Sequence, residues 1–238
     1  MQKILFNGCS QTEVGNLDYL ENWQERTWAH LLAKKLNCKY TNLAITLSDN
    51  SRIFSTTLNQ ILKDKPDAII IGWTDANRKQ LPLENGDMVR LSPGCCISDN
   101  ETDVYKLDEH WYKVHQNEWL SAIETLEYMV ALKIICDNYK INLYSFNAIN
   151  TNDTKRLIGS SFNSRMKRRA FRLKQDIEKF ERLHEITEKI SWLLPRSQSL
   201  LSYCKDNELS MDQWGHPEID AQQHIADYFA DRINKEGM

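Results

Sequence analysis

Four clusters of polar residues hold the groups that could do chemistry in this chain: Gly8-Cys9-Ser10-Gln11-Thr12, the stretch from Asn42 through Asn50 to Arg52, Gly72-Trp73-Thr74-Asp75 leading to Arg78, and Asp212-Gln-Trp-Gly-His216-Pro217. Among them are a hydroxyl, an imidazole and carboxylates. A serine hydroxyl is a poor nucleophile at neutral pH; it attacks when a histidine takes its proton and a carboxylate keeps the imidazole in the right tautomer. Each residue also has a plain structural use. Ser10 and Thr12 suit the start of a helix, His216-Pro217 suits a turn into one, and Asp75 with Arg78 suits an ion pair at a rim. Both uses stay open on residue types alone.

The elements that must position these clusters read as an alternation of short apolar runs and helical patterns. Lys3-Ile-Leu-Phe-Asn7 predicts a strand that stops at Gly8, and Asn22 to Leu36 a helix through Trp23, Trp28, Leu31, Leu32 and Leu36. Tyr40 to Ile45 is the second strand, Asn50 to Leu62 a helix, and Ala68-Ile-Ile-Ile71 a third strand closed by Gly72. Runs apolar on both faces are typical of parallel strands buried between helices. Three of the four clusters follow these strands, at the carboxyl edge where open α/β sheets bind ligands.

Farther along, His115 to Tyr139 predicts a long helix and Ile141 to Phe146 a fourth strand, with no strand between Asn150 and Asn207. Arg165 to Leu194 reads as helical, and Ile219 to Ile233 as a last helix with Pro217 an early helical residue. The expected fold is α/β: a single three-layer α/β/α domain over 1–238 with a parallel, doubly wound, flavodoxin-like sheet. The segments outside the rhythm are insertions: a loop at 79–114, whose Lys79 to Lys106 reads as a long loop or small hairpin, and a helical cap at 150–207 over the strand ends.

The clusters occur in the order of the sequence blocks of the SGNH (GDSL-like) hydrolase superfamily, which the chain resembles from about Lys3 to Ala230. The family's first block resembles Gly8 to Thr12, and its last, Asp and His before Pro, resembles Asp212 to Pro217. The resemblance implies an esterase or O-acetyl hydrolase with Ser10 as nucleophile, His216 as base and Asp212 as its orienting carboxylate. The Ser10 N–H would face the developing oxyanion. Gly72, Asp75 and Arg78 fall in or beside the third block and are substrate-binding candidates.

Two family positions differ here. Leu47 falls at the place of a Gly, and Thr74 at the place of an Asn, whose backbone N–H and side-chain amide respectively complete the oxyanion hole. Removing one such donor costs ~2.7–4 kcal/mol of transition-state stabilisation; Thr74 itself, or Asn50 or Asn77 nearby, would substitute. Asp212 also stands four residues before His216, where the family more often has three, so Trp214 and Gly215 must bulge for the pair to meet. The replaced donors motivate a second expectation, an SGNH-like scaffold that binds carbohydrate or a protein partner without turnover. The Cys after the Gly and the Gly-Trp-Thr block are similar to small tailed-phage members of the family, which implies a host-cytoplasm or virion location.

Composition narrows the alternatives. The chain has 238 residues, 41% hydrophobic and 26% charged, enough for a sizeable core and unlike a disordered chain. Only 8 are glycine, about half the usual share, so each glycine should have a reason. With 30 basic and 33 acidic side chains the formal net charge is -3, which gives no general pull toward nucleic acid or anionic membrane. Arg165 to Lys174 carries six cations around Phe171; a solvated face paired with Asp176, Glu178, Glu181, Glu185 and Glu188 accounts for it, and nucleic-acid binding ranks last. The other histidines, His30, His110, His115, His184 and His224, show no metal-ligand spacing. No cofactor is expected, and the partner expected is a small-molecule or glycan ester. The cysteines lack C-x-x-C spacing, so free thiols and cytosolic synthesis without a signal peptide are expected.

Overall fold

The structure, a computed structural model, describes residues 2–13, 21–82, 88–92, 95–98, 118–149 and 170–237. In chain order the first half holds β1 (Lys3–Asn7), α1 (Ser10–Glu13), a 3-10 turn (Trp23–Arg26), α2 (Trp28–Lys35), β2 (Lys39–Asn42), α3 (Asn50–Lys63), β3 (Ala68–Trp73), β4 (Lys79–Pro82), β5 (Met88–Ser92) and β6 (Cys95–Ser98). The second half holds α4 (Glu118–Tyr139), β7 (Asn142–Asn147), α5 (Ala170–Thr187), β8 (Ser191–Trp192), α6 (Leu200–Asp206) and α7 (Ile219–Glu236).

The main sheet has five parallel strands in the order β2-β1-β3-β7-β8, the flavodoxin-like order. Alternation along each strand fills two cores. Ile4, Phe6, Ile70 and Phe146 face α2, α6 and α7, while Leu5, Ile69, Ile71 and Leu143 face α3, α4 and α5. In the first core Trp28 packs edge-on against Phe6, Phe146 and Phe229 with ring centroids 5.6, 5.6 and 5.3 Å away. Such pairs add ~0.5–1.5 kcal/mol each beyond the area they bury. The expected three-layer α/β/α architecture is the one found.

Several boundaries differ from the sequence expectation, each for a local reason. The helix expected from Asn22 to Leu36 is broken at Thr27, whose extended backbone caps α2. The third strand does not end at Gly72 but continues to Trp73, because Gly72 and Trp73 pair with Phe146 and Asn147. A fifth strand, β8, lies where none was expected; its two residues pair with Tyr144 and Ser145. Pro217 is not inside the last helix: Glu218 is the N-cap, and Pro217 bridges to Met211.

The described parts of the two insertions hold regular elements. β4, β5 and β6 form an antiparallel meander within 79–98. α5 lies in the outer layer beside α4 rather than over the strand ends, with Phe180 in the α3/α4 core and Lys179 paired to Glu127 at 2.5 Å. Residues 165–169 of the basic segment lie outside the described residues, as do His110 and His115.

Candidate active site

At the carboxyl end of β1, the buried Asn7 fixes the turn that delivers Ser10. Its Nδ2 donates to Ile53 O, Thr56 Oγ1 and Thr57 Oγ1 at 3.0, 2.8 and 2.9 Å, and its Oδ1 accepts the Gly8 N–H at 2.9 Å. The N–H groups of Thr12 and Glu13 both donate to Cys9 O, which closes one helical turn with Ser10 at its head. Cys9 itself is buried in the first core. Glycine is required at Gly8 and at Gly72 on the neighbouring strand for one shared reason. A Cβ on Gly8 would lie 2.4 Å from Thr12 Oγ1, and one on Gly72 2.8 Å from the same atom and 2.6 Å from the Phe146 ring. Gly72 thus makes room inside the sheet.

Asp212 and His216 meet. The turn between them bulges as their spacing demands: Gly215 takes a φ of +80°, its N–H donates to Asp212 O at 3.0 Å, and Asp212 N–H donates to His216 O at 2.9 Å. Asp212 Oδ1 accepts the N–H groups of Trp214 and His216, each at 2.8 Å. Its Oδ2 lies 3.2 Å from His216 Nδ1, and both side chains are 19% exposed. That contact places the ring proton on Nδ1 and leaves Nε2 as the acceptor. Burial alone would raise the Asp212 carboxyl, but the hydrogen bonds and charge of His216 and the Trp214 N–H outweigh it and hold it below its ordinary value. One long-range contact ties this turn to the nucleophile segment: Gln11 Nε2 donates to Gly215 O at 2.9 Å. Trp214 stands out at 76% exposed.

Across from this turn the loops after β2 and β3 are locked together. Asn50 Oδ1 accepts the Thr74 N–H at 2.9 Å, and Asn50 Nδ2 donates to Thr74 O and Thr125 Oγ1, both at 3.1 Å. Both amide hydrogens of Asn50 are therefore engaged in holding Thr74 against α4. Leu47 has a φ of 59°, the left-handed region that favours glycine, and its side chain is buried. Its N–H, like that of Ser10, donates to no described residue. Glu13 holds the neighbouring Thr46 N–H. Asp49 caps α3 by accepting the Arg52 N–H at 2.8 Å and fixes β4 by accepting the Gln80 N–H at 2.9 Å.

Asp75 and Arg78 do not form the ion pair considered for them. Asp75 Oδ1 accepts the Asn77 N–H at 2.8 Å, and Arg78 Nε donates to Ser92 Oγ at 3.2 Å. Among the described residues no group of three or more His, Cys, Asp or Glu side chains could hold a metal ion, and no helix is long and apolar enough to cross a membrane. Cys9, Cys38, Cys136 and Cys204 are free.

Four residues that the sequence did not single out build this site: Gln11, Glu13, Asp49 and Thr125. A polar residue at a position that helical periodicity assigns to the buried face is the signal that finds Thr125. No comparable signal marks the other three.

No family model matches the sequence, and neither does any curated protein. Solved structures do match. TesA superposes with a TM-score of 0.54 at 13% identity, covering 98% of this chain and 99% of that one. The psychrotrophic esterase EstA from Pseudoalteromonas sp. gives 0.54 at 14% identity over 99% and 98%. The acetyl xylan esterase Est2A from the rumen bacterium Butyrivibrio proteoclasticus gives 0.52 at 15% identity over 99% of this chain and 64% of that one. At such identities the likeness is one of fold: this chain has the three-layer α/β/α fold of TesA, EstA and Est2A.

Proposed function

We propose that the protein is a serine esterase of SGNH type that removes small acyl groups, acetyl above all, from acylated carbohydrate. Ser10 Oγ attacks the ester carbonyl, His216 Nε2 takes its proton and returns it to the leaving alcohol, and Asp212 holds the imidazolium. The N–H groups of Ser10 and Leu47 receive the oxyanion, with the Thr74 hydroxyl as a third donor, while Asn50 positions Thr74 and Gly72 opens the sheet for Thr12.

The observation that carries this reading is the closed Asp212–His216 pair, 3.2 Å apart on a turn that Gln11 ties to the segment bearing Ser10. Two further features agree with it. Ser10 is only 5% exposed, which suits a slim acyl end, and the bare Trp214 beside His216 offers a flat face to a sugar ring.

A second reading, a scaffold that binds without turnover such as a phage structural or accessory component, draws on one specific observation. Among the described residues the Ser10 hydroxyl has no hydrogen-bond partner, so no bond to His216 is closed. Catalytic hydrogen bonds are often long in unliganded sites and tighten around substrate, and on that ground the esterase is favoured.

Acetate release from p-nitrophenyl acetate and acetylated sugars, measured beside Ser10→Ala, separates the two. Turnover that the substitution abolishes, with fluorophosphonate labelling at Ser10, supports the esterase. Equal rates for both proteins, or an unlabelled Ser10, overturns it.

A further inference from the structure

Arg78 is a buried charge with no countercharge among the described residues. The residue is 9% exposed; Nε donates to Ser92 Oγ at 3.2 Å, and Nη1 is fully buried with no hydrogen-bond partner among the described residues. A guanidinium stays protonated at any ordinary pH, so it cannot escape this burial by shedding its proton. The described carboxylates nearest in the fold are committed elsewhere: Asp75 accepts from the Asn77 N–H, Asp49 from the N–H groups of Arg52 and Gln80, and Glu124 pairs with Lys79. Among the described residues none lies within ion-pair distance of Arg78.

The register says where this charge faces. Lys79 pairs with Leu91 and Gln80 with Arg90, which sets Arg78 opposite Ser92. Arg78, Gln80, Arg90 and Ser92 then share one face of the β4-β5 hairpin, and Gln80 Nε2 lies 3.5 Å from Leu47 O. From the other side of that segment, Arg52 Nη1 donates to Ser48 Oγ at 2.9 Å and lies 3.5 Å from Leu43 O. Arg52 also has no described carboxylate within ion-pair distance, although Asp49 and Glu13 are near enough to favour its charge. Burial first, and then the charge of Arg90, lowers the Arg52 guanidinium from its ordinary value.

The geometry points to an oxyanion subsite beside Leu47, with Arg78 as its principal ligand and Arg52 at its edge, so that the ester cleaved at Ser10 carries a carboxylate or a phosphate on its alcohol part. The esterase reading supplies Ser10; the inference adds that the sugar is acidic.

The test measures acetate release from O-acetyl galacturonic acid, O-acetyl glucose 6-phosphate and O-acetyl galactose by the full chain, Arg78→Gln, Arg78→Lys and Arg52→Gln. Calorimetry with galacturonate and with inorganic phosphate runs in parallel. A charged, bidentate contact predicts that one acidic ester exceeds the neutral one in kcat/KM by about tenfold or more. The ratio should collapse in Arg78→Gln, recover only in part in Arg78→Lys, and weaken in Arg52→Gln. Preference for galacturonate or for the sugar phosphate identifies the anion. Equal kcat/KM for all three esters, or a preference that survives both Arg78→Gln and Arg52→Gln, overturns the subsite. If no ester is cleaved and fluorophosphonate leaves Ser10 unlabelled, the esterase reading fails by itself. The subsite then stands on calorimetric binding that Arg52→Gln weakens, and falls if neither anion binds.

Discussion

One wall, the Asp212–His216 turn, is held by hydrogen bonds between residues at most four apart, with the Gln11–Gly215 contact as its link to the segment bearing Ser10. The second, in the loops after β2 and β3, is tied by contacts that span 24 residues from Asn50 to Thr74, 31 from Asp49 to Gln80 and 75 from Asn50 to Thr125. A short turn closes at little entropic cost and keeps its shape largely by itself. The second wall exists only when β1, β3, α3 and α4 have all come together, so its order is a property of the whole fold. The Asp212–His216 turn can therefore be loosened locally, whereas damage to the Asn50–Thr74 wall is felt globally.

The largest expected effect comes from breaking the second wall. Asn50→Ala removes the acceptor of the buried Thr74 N–H and the donor to Thr74 O and Thr125 Oγ1 together. Each buried group so stranded costs ~1–3 kcal/mol. Urea unfolding should show the midpoint falling with the slope unchanged. An unshifted midpoint would mean that this wall is no more global than the other.

A smaller effect should follow from cutting the link on the first wall. Gln11→Ala removes one hydrogen bond worth ~1 kcal/mol, about 2–4 °C in a domain of this size. Its signature is local: amide exchange at Trp214 and His216, whose N–H groups rest on Asp212, should speed up while core strands keep their protection. Uniform acceleration throughout the chain would show the turn to be part of the global unit.

The same division governs what could be read from residues alone. β1 and β3 are legible because parallel strands buried on both faces leave unbroken apolar runs, and β7 because Leu143, Tyr144 and Phe146 still dominate a short run around Ser145. Asp212 and His216 were legible as a pair because their geometry is local, down to the bulge at Trp214 and Gly215. β8 was not, since a strand of two residues has no period; it exists because β7 offers a free edge to Ser191 and Trp192. Leu47 fell at a glycine place by block order, but nothing in its side chain announces a φ of 59°, which the closure of the loop around it imposes. By sequence Asn50 is a possible oxyanion donor, because an amide at a strand-end loop can point either way. Only the position of Thr125, 75 residues on, shows its hydrogens engaged. Arg78, read as a rim residue, is buried by β5, an element hidden in a stretch rich in Pro, Gly and Asp.

The finest contrast between the walls is the sign of their titration. On the first wall, Asp212 is held below its ordinary value of 3.8 despite partial burial, by the His216 contacts and the Trp214 N–H. A carboxyl depressed on folding stabilises fully above its unfolded value, and that contribution is lost as pH falls through the folded one, in a window below 3.8. On the second wall, burial of Asp49 outweighs the N–H groups of Arg52 and Gln80 and raises its carboxyl above 3.8. Its charged form therefore costs stability at neutral pH, and the cost is recovered as pH falls through the raised value, in a window above 3.8. Unfolding free energies of wild type, Asp212→Asn and Asp49→Asn measured from pH 7 to pH 2 should give two difference curves of opposite slope. Wild type should lose its advantage over Asp212→Asn at the acid end, and gain on Asp49→Asn as the pH first falls. Curves of the same slope would show that one environment, and not two, governs both carboxylates.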